Sequence, residues 1–156
     1  MTSPRAWCAV ALAALPVAWL LAYTGHGMAV QQPWRDVLWL LGLALGEEIV
    51  FRGGVQAALM RYVPGRSVTT SSASANSLPH GLSHLTWLSR ANVLASLAFS
   101  AAHLWAHTPA HALAVFPVSL LLGLAYERSG RLWLPAALHA WFNLVLYAAS
   151  LWLLRP

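Results

Sequence analysis

Gly46-Glu47-Glu48-Ile49-Val50-Phe51-Arg52-Gly53-Gly54 lies inside an apolar segment that runs from about Arg35 to Met60. The whole chain has only four carboxylates, and two of them stand side by side here. A charged side chain at the centre of a bilayer costs at least ~2.5–3.5 kcal/mol, so a chain that places two there must gain something from them. On a helix, successive residues are about 100° apart. Arg52 follows Glu48 by four residues, which puts the two on one face and within pairing reach. Glu47 is five residues from Arg52 and points elsewhere. The spacing predicts one carboxylate held by an arginine and one left for chemistry. The plainer alternative is an ion pair that packs helices, with a spare acid beside it. Intramembrane acids are usually functional, which favours the chemical reading.

The composition around this stretch sets the class. Of 156 residues, 59% are hydrophobic and 8% are charged, with nine tryptophans; soluble domains average about 25% charged. This is the composition of an integral membrane protein of one domain. The net charge of +5 comes from arginine alone, with no lysine. Those arginines stand singly at the ends of apolar runs, as membrane orientation requires. Nucleic-acid binding would instead want a basic cluster on a polar face. The single cysteine, Cys8, leaves the redox compartment unread.

Working outward, Ala6–Tyr23 is an apolar run behind Arg5, read as a retained helix rather than a cleaved signal because no small-x-small site follows it. Roughly Arg35–Met60 is the second helix, with Gly46, Gly53 and Gly54 flanking the acidic pair as small residues that permit close helix approach. Tyr62–Arg90 is a flexible polar loop. Its Thr69–Ser77 centre is low in complexity, and His80 and His84 lie in it as loop histidines. Ala91–His107, Pro109–Tyr126 and Leu132–Leu154 are three further apolar segments. The fold class is therefore all-α, a polytopic bundle of about five spanning helices, with a core at 35–154. Counting arginines, one face receives Arg5, Arg61, Arg66, Arg90, Arg128 and Arg131, and the other Arg35 and Arg155. The positive-inside rule puts the first face, and the N-terminus, in the cytoplasm.

At about 1.5 Å per helical residue, Glu47 lies roughly 21 Å from the cytoplasmic end of its span, His103 roughly 18 Å, Asn143 roughly 16 Å and His139 roughly 10 Å. Polar residues from three helices thus fall in overlapping layers, and His139 and Asn143, four apart, share a face. Isolated polar residues of these types would merely hydrogen-bond between helices. Two acids, two histidines, an arginine and an asparagine at compatible depths support peptide hydrolysis instead. A carboxylate stripped of water takes a proton from a water molecule; a histidine positions that water; a second histidine and an amide stabilise an oxyanion. No serine or cysteine stands where a covalent nucleophile would. The rival on the same residues is a zinc shell of Glu47, His103 and His139. His103, His107 and His111 also recur every four residues, but Pro109 keeps them off one regular helix, and the last two read as surface residues.

Three motifs, Glu47-Glu48-x-x-x-Arg52, Phe99-x-x-x-His103 and His139-x-x-x-Asn143, occur in that order on three apolar segments. Together they resemble the CPBP intramembrane protease family, which includes the CAAX prenyl endopeptidases and bacterial Abi and bacteriocin-processing proteins. The resemblance covers roughly Gly46–Asn143. It implies a glutamate-dependent endopeptidase without a cofactor, in which Glu47 is the general base, His103 helps to activate water, His139 and Asn143 support the oxyanion, and Arg52 holds Glu48. The chain departs from the family in the long Ser/Ala/Thr stretch after the first motif. Its Ala/Leu/Arg/Trp-rich composition suggests a GC-rich bacterium, hence the inner membrane and a membrane-anchored protein or peptide substrate. Two alternatives stand beside this reading: a zinc metalloprotease on the same residues, and a non-enzymatic immunity or ion-relay protein.

Overall fold

The computed structural model describes residues 4–23, 33–63 and 88–153. The low-complexity centre of the polar loop and the pair His80 and His84 lie outside the described residues. Within them the chain is helical, with no strand: α1 (Pro4–Leu21), α2 (Pro33–Glu48), a π-helix (Ile49–Gln56), α3 (Ala57–Tyr62), α4 (Arg90–His103), α5 (Pro109–Ser129) and α6 (Trp133–Leu153). α2, the π-helix and α3 follow one another without a break, so five helical segments stand where the apolar runs predict five. α5 and α6 are long and apolar enough to cross a membrane, and the apolar part of α1, Arg5–Leu20, is shorter.

Local chemistry explains the helix ends. Ser89 caps α4, accepting the Asn92 amide at 2.9 Å. Thr108 accepts the His111 amide at 3.3 Å, just before Pro109, whose fixed φ suits a first helical position. α5 stops at Gly130, which takes φ 63° and donates its amide to Tyr126 O at 2.9 Å. A residue with a Cβ resists that left-handed conformation.

The contacts divide the chain into two compact units, one of residues 1–50 and 125–156, the other of residues 51–124. In the first, α6 packs on both α1 and α2. Ala18 and Ala22 meet Val145 and Ala149, four small or β-branched side chains that let the helix axes approach. The Trp141 indole donates to Ala11 O at 2.9 Å, and Trp19 lies 4.8 Å from Trp152. Both pairs rise together in number, so α1 and α6 run parallel. Tyr147 donates its hydroxyl to Asp36 at 3.0 Å, and His139 meets Glu48, so α2 and α6 run antiparallel. That alternation is the one expected of the first, second and fifth spans.

The second unit is built on the π-helix, α3, α4 and the first part of α5. Its centre is polar. Arg52, Gln56, Asn92, Ser96 and Ser119 are all buried, alongside Phe99 and Leu122. Asn92, Ser96, Phe99 and His103 recur at helical spacing and form one stripe of α4.

Candidate active site

In the first unit the site is built by two helices. α2 ends at Glu48, and α6 carries His139 in its second turn. The Nδ1 of His139 is 2.9 Å from Glu48 Oε1, and its Nε2 is 3.5 Å from Glu47 Oε2. Glu48 is wholly buried, His139 nearly so, and the Glu47 side chain keeps 23% of its surface exposed. The shorter contact holds Glu48 firmly; 3.5 Å is beyond a strong hydrogen bond, so Glu47 is the less constrained acid and the one nearer solvent. With Glu48 ionised, Nδ1 is the donor to it. The Nε2 edge of the same ring faces Glu47. Asn143 follows one turn later on α6 and is half-buried.

The acidic pair thereby gains a partner that helix spacing alone does not give: an imidazole, supplied by the third motif of the sequence, stands against Glu48. Gly46 has open space where a Cβ would point, and Gly53 and Gly54 are exposed, so among the described residues these glycines are not points of close helix approach.

In the second unit Arg52 donates from Nη2 to both the carbonyl and the hydroxyl of Ser119, each at 3.1 Å. Its guanidinium lies 5.1 Å from the centre of the Phe99 ring. Gln56 donates to Gly123 O at 3.2 Å, Asn92 to Leu120 O at 3.0 Å, and Ser96 to Asn92 Oδ1 at 3.2 Å. Phe99 stacks edge-on with Phe51 at 5.0 Å and lies 4.5 Å from the His103 ring. His103 Nδ1 is 2.9 Å from Phe99 O. A carbonyl can only accept, so Nδ1 carries the proton and Nε2 is left as the basic nitrogen.

Pro109 does separate His103 from His111 into two helices, as the spacing predicts. The intervening turn nevertheless folds the rings together: His107 and His111 lie 4.3 Å apart, and both lie within 5.9 Å of His103, with planes tilted by no more than 24°. Rings stacked this way keep their nitrogens in nearly parallel planes. Among the described residues no group of three or more His, Cys, Asp or Glu is arranged to hold a metal ion.

Five residues escaped the sequence reading: Gln56, Asn92, Ser96, Ser119 and Gly123. An amide inside an apolar run is a signal in its own right, and Gln56 and Asn92 carried it. Ser96, Ser119 and Gly123 are ordinary helix residues in membranes and carry none.

A family model for type II CAAX prenyl endopeptidases, Rce1-like, matches residues 29–145, that is 117 of the 156 residues. The chain belongs to the Rce1-like family. No curated protein and no solved structure matches it. The match begins ahead of α2 and ends within α6, so it contains all three motifs and leaves out α1. As an Rce1-like protein the chain is an integral membrane protein and a peptide-bond hydrolase of the CAAX-endopeptidase type. Its substrate is a membrane-associated protein.

Proposed function

We propose that the chain is a glutamate-dependent intramembrane endopeptidase of a bacterial inner membrane, with its N-terminus in the cytoplasm. Its substrate is the hydrophobic C-terminal segment of a membrane-anchored protein. Glu47 takes a proton from a water molecule positioned by Nε2 of His103, and the water oxygen attacks the scissile carbonyl carbon. The tetrahedral oxyanion is stabilised by the Asn143 amide and by an N–H of His139. The C–N bond then breaks as the proton held between Glu47 and His139 passes to the leaving nitrogen. Glu48 keeps the His139 ring in place, and Arg52 balances the charge of the acidic motif. His103 and Arg52 join the set through the order of the family's motifs.

The observation that carries this reading is the imidazole of His139 lying between the two carboxylates, 2.9 Å from one and 3.5 Å from the other. Two acids around one shared proton form a store from which a proton can be lent and returned in a single turnover. The test is comparative proteomics of membrane-protein C-termini, wild type against Glu47→Gln. A small set of proteins that keep a hydrophobic tail only in the variant is the expected result. Identical C-termini at equal expression would overturn the proposal and favour a non-enzymatic role. Cleavage by the purified protein is expected to survive a strong zinc chelator; loss of activity that zinc restores would move the chemistry to a metal-bound water.

A further inference from the structure

The arginine of the acidic motif is held from a helix that carries none of the three motifs. One nitrogen of Arg52, Nη2, has two N–H bonds, and Ser119 takes both, one on its carbonyl and one on its hydroxyl, each at 3.1 Å. Both residues are fully buried. Phe99 lies 5.1 Å beneath the guanidinium and fixes its plane. Ser119 fixes its rotation within that plane, so two residues together hold the orientation of the guanidinium.

The helix that presents Ser119 is itself braced on both sides. Asn92 bonds Leu120 O, the next residue, and Gln56 bonds Gly123 O, one turn on. Gly123 permits this approach, because a Cβ there would overlap the Asn92 side chain and lie 3.0 Å from Gln56 Oε1. An ordinary buried serine in a membrane helix bonds back to its own preceding turn, as Ser150 does to Leu146 O at 2.7 Å. The Ser119 hydroxyl instead accepts a hydrogen bond from a cation on another helix. Bonds to charged groups are among the stronger ones and are costly to lose when buried.

From this we infer that Ser119 is a positioning residue that acts through Arg52: it orients the guanidinium on which the proposed mechanism draws. The inference rests on the glutamate-protease reading, and its test separates the two. Ser119→Thr and Ser119→Val have the same shape and differ only in the hydroxyl, so any packing cost is common to both. Ser119→Val is expected to lower kcat about tenfold relative to Ser119→Thr with little change in KM. If neither branched side chain fits, Ser119→Ala serves in place of Val, with wild type as its reference.

A loss of folded protein would also lower kcat, so the decisive readout is a double-mutant cycle on kcat with Arg52→Lys, which keeps the charge and loses the fork. If Ser119 acts through Arg52, Arg52→Lys costs far less in the Ser119→Val background than in wild type. Costs that simply multiply, or equal kcat for Thr and Val, would overturn the inference while leaving the protease reading intact. Full activity of Glu47→Gln, run beside them, would overturn both.

Discussion

The polar cluster around His139 in the first unit is made of groups that gain and lose protons: two carboxylates and an imidazole in a row. The buried polar atoms of the second unit belong, apart from Arg52, to amides, hydroxyls and backbone carbonyls, which hold their protons at any physiological pH. The difference separates chemistry from support. A titratable cluster costs a great deal to bury unless its charges are shared, and its worth lies in moving a proton. A neutral network gains strength in an apolar surrounding and costs dearly only when one member is lost. The first arrangement makes a reactive group; the second keeps helices in register around one cation.

The largest effect is expected at the most loosely held acid. Glu47→Gln keeps the shape, removes the base and should lower the rate of peptide hydrolysis by about 10²–10⁴, with the protein inserted at its normal level. An active Glu47→Gln enzyme would break the distinction at its root. Glu48→Gln should behave differently. Its amide oxygen still accepts from His139, but the loss of charge weakens the hold on the imidazole, so hydrolysis falls and the unfolding temperature in detergent falls with it. Equal unfolding temperatures for the two variants would erase the difference between the held acid and the open one.

Gly123→Ala tests the neutral network. The added methyl group overlaps Asn92, and overpacking of this kind costs about 1–3 kcal/mol, read as thermal unfolding in detergent. Adding Asn92→Ala should recover part of that loss, since it removes the group that clashes; strictly additive costs would mean the network is not the obstacle. Tyr147→Phe should give the smallest effect. It removes one bond, to Asp36, and is expected to cost about 1 kcal/mol while leaving the rate of cleavage unchanged.

The helices were legible because each is an apolar run closed by a cap, a glycine or a proline, and the segments fall within a few residues of where those signals place them. Glu47, Glu48 and His139 were legible because ionisable groups in apolar runs are conspicuous, and the structure does bring them together. The bonding of Arg52 to Ser119 was not. Its acceptors are a backbone carbonyl and a common hydroxyl, and a carbonyl has no letter in the sequence. The stacking of His103, His107 and His111 was hidden for another reason: Pro109 correctly signalled a helix break, but a break says nothing of how tightly the chain turns back.

The π-helix was hidden too, although Ile49-Val50-Phe51-Arg52-Gly53-Gly54-Val55-Gln56 is poor in strong helix formers. Such a coil holds slack. Its wider ladder, i to i+5, accommodates about one residue more than an α-helix needs for the same span. Deleting one residue between Ile49 and Gln56 would let the coil tighten to α and leave what lies beyond the cut facing as before, whereas the same deletion in a regular α-helix would turn it by about 100°. The two halves of the acidic motif are thus spaced by winding as well as by residue count. A related chain one residue shorter here would wind this stretch as α and still present its arginine.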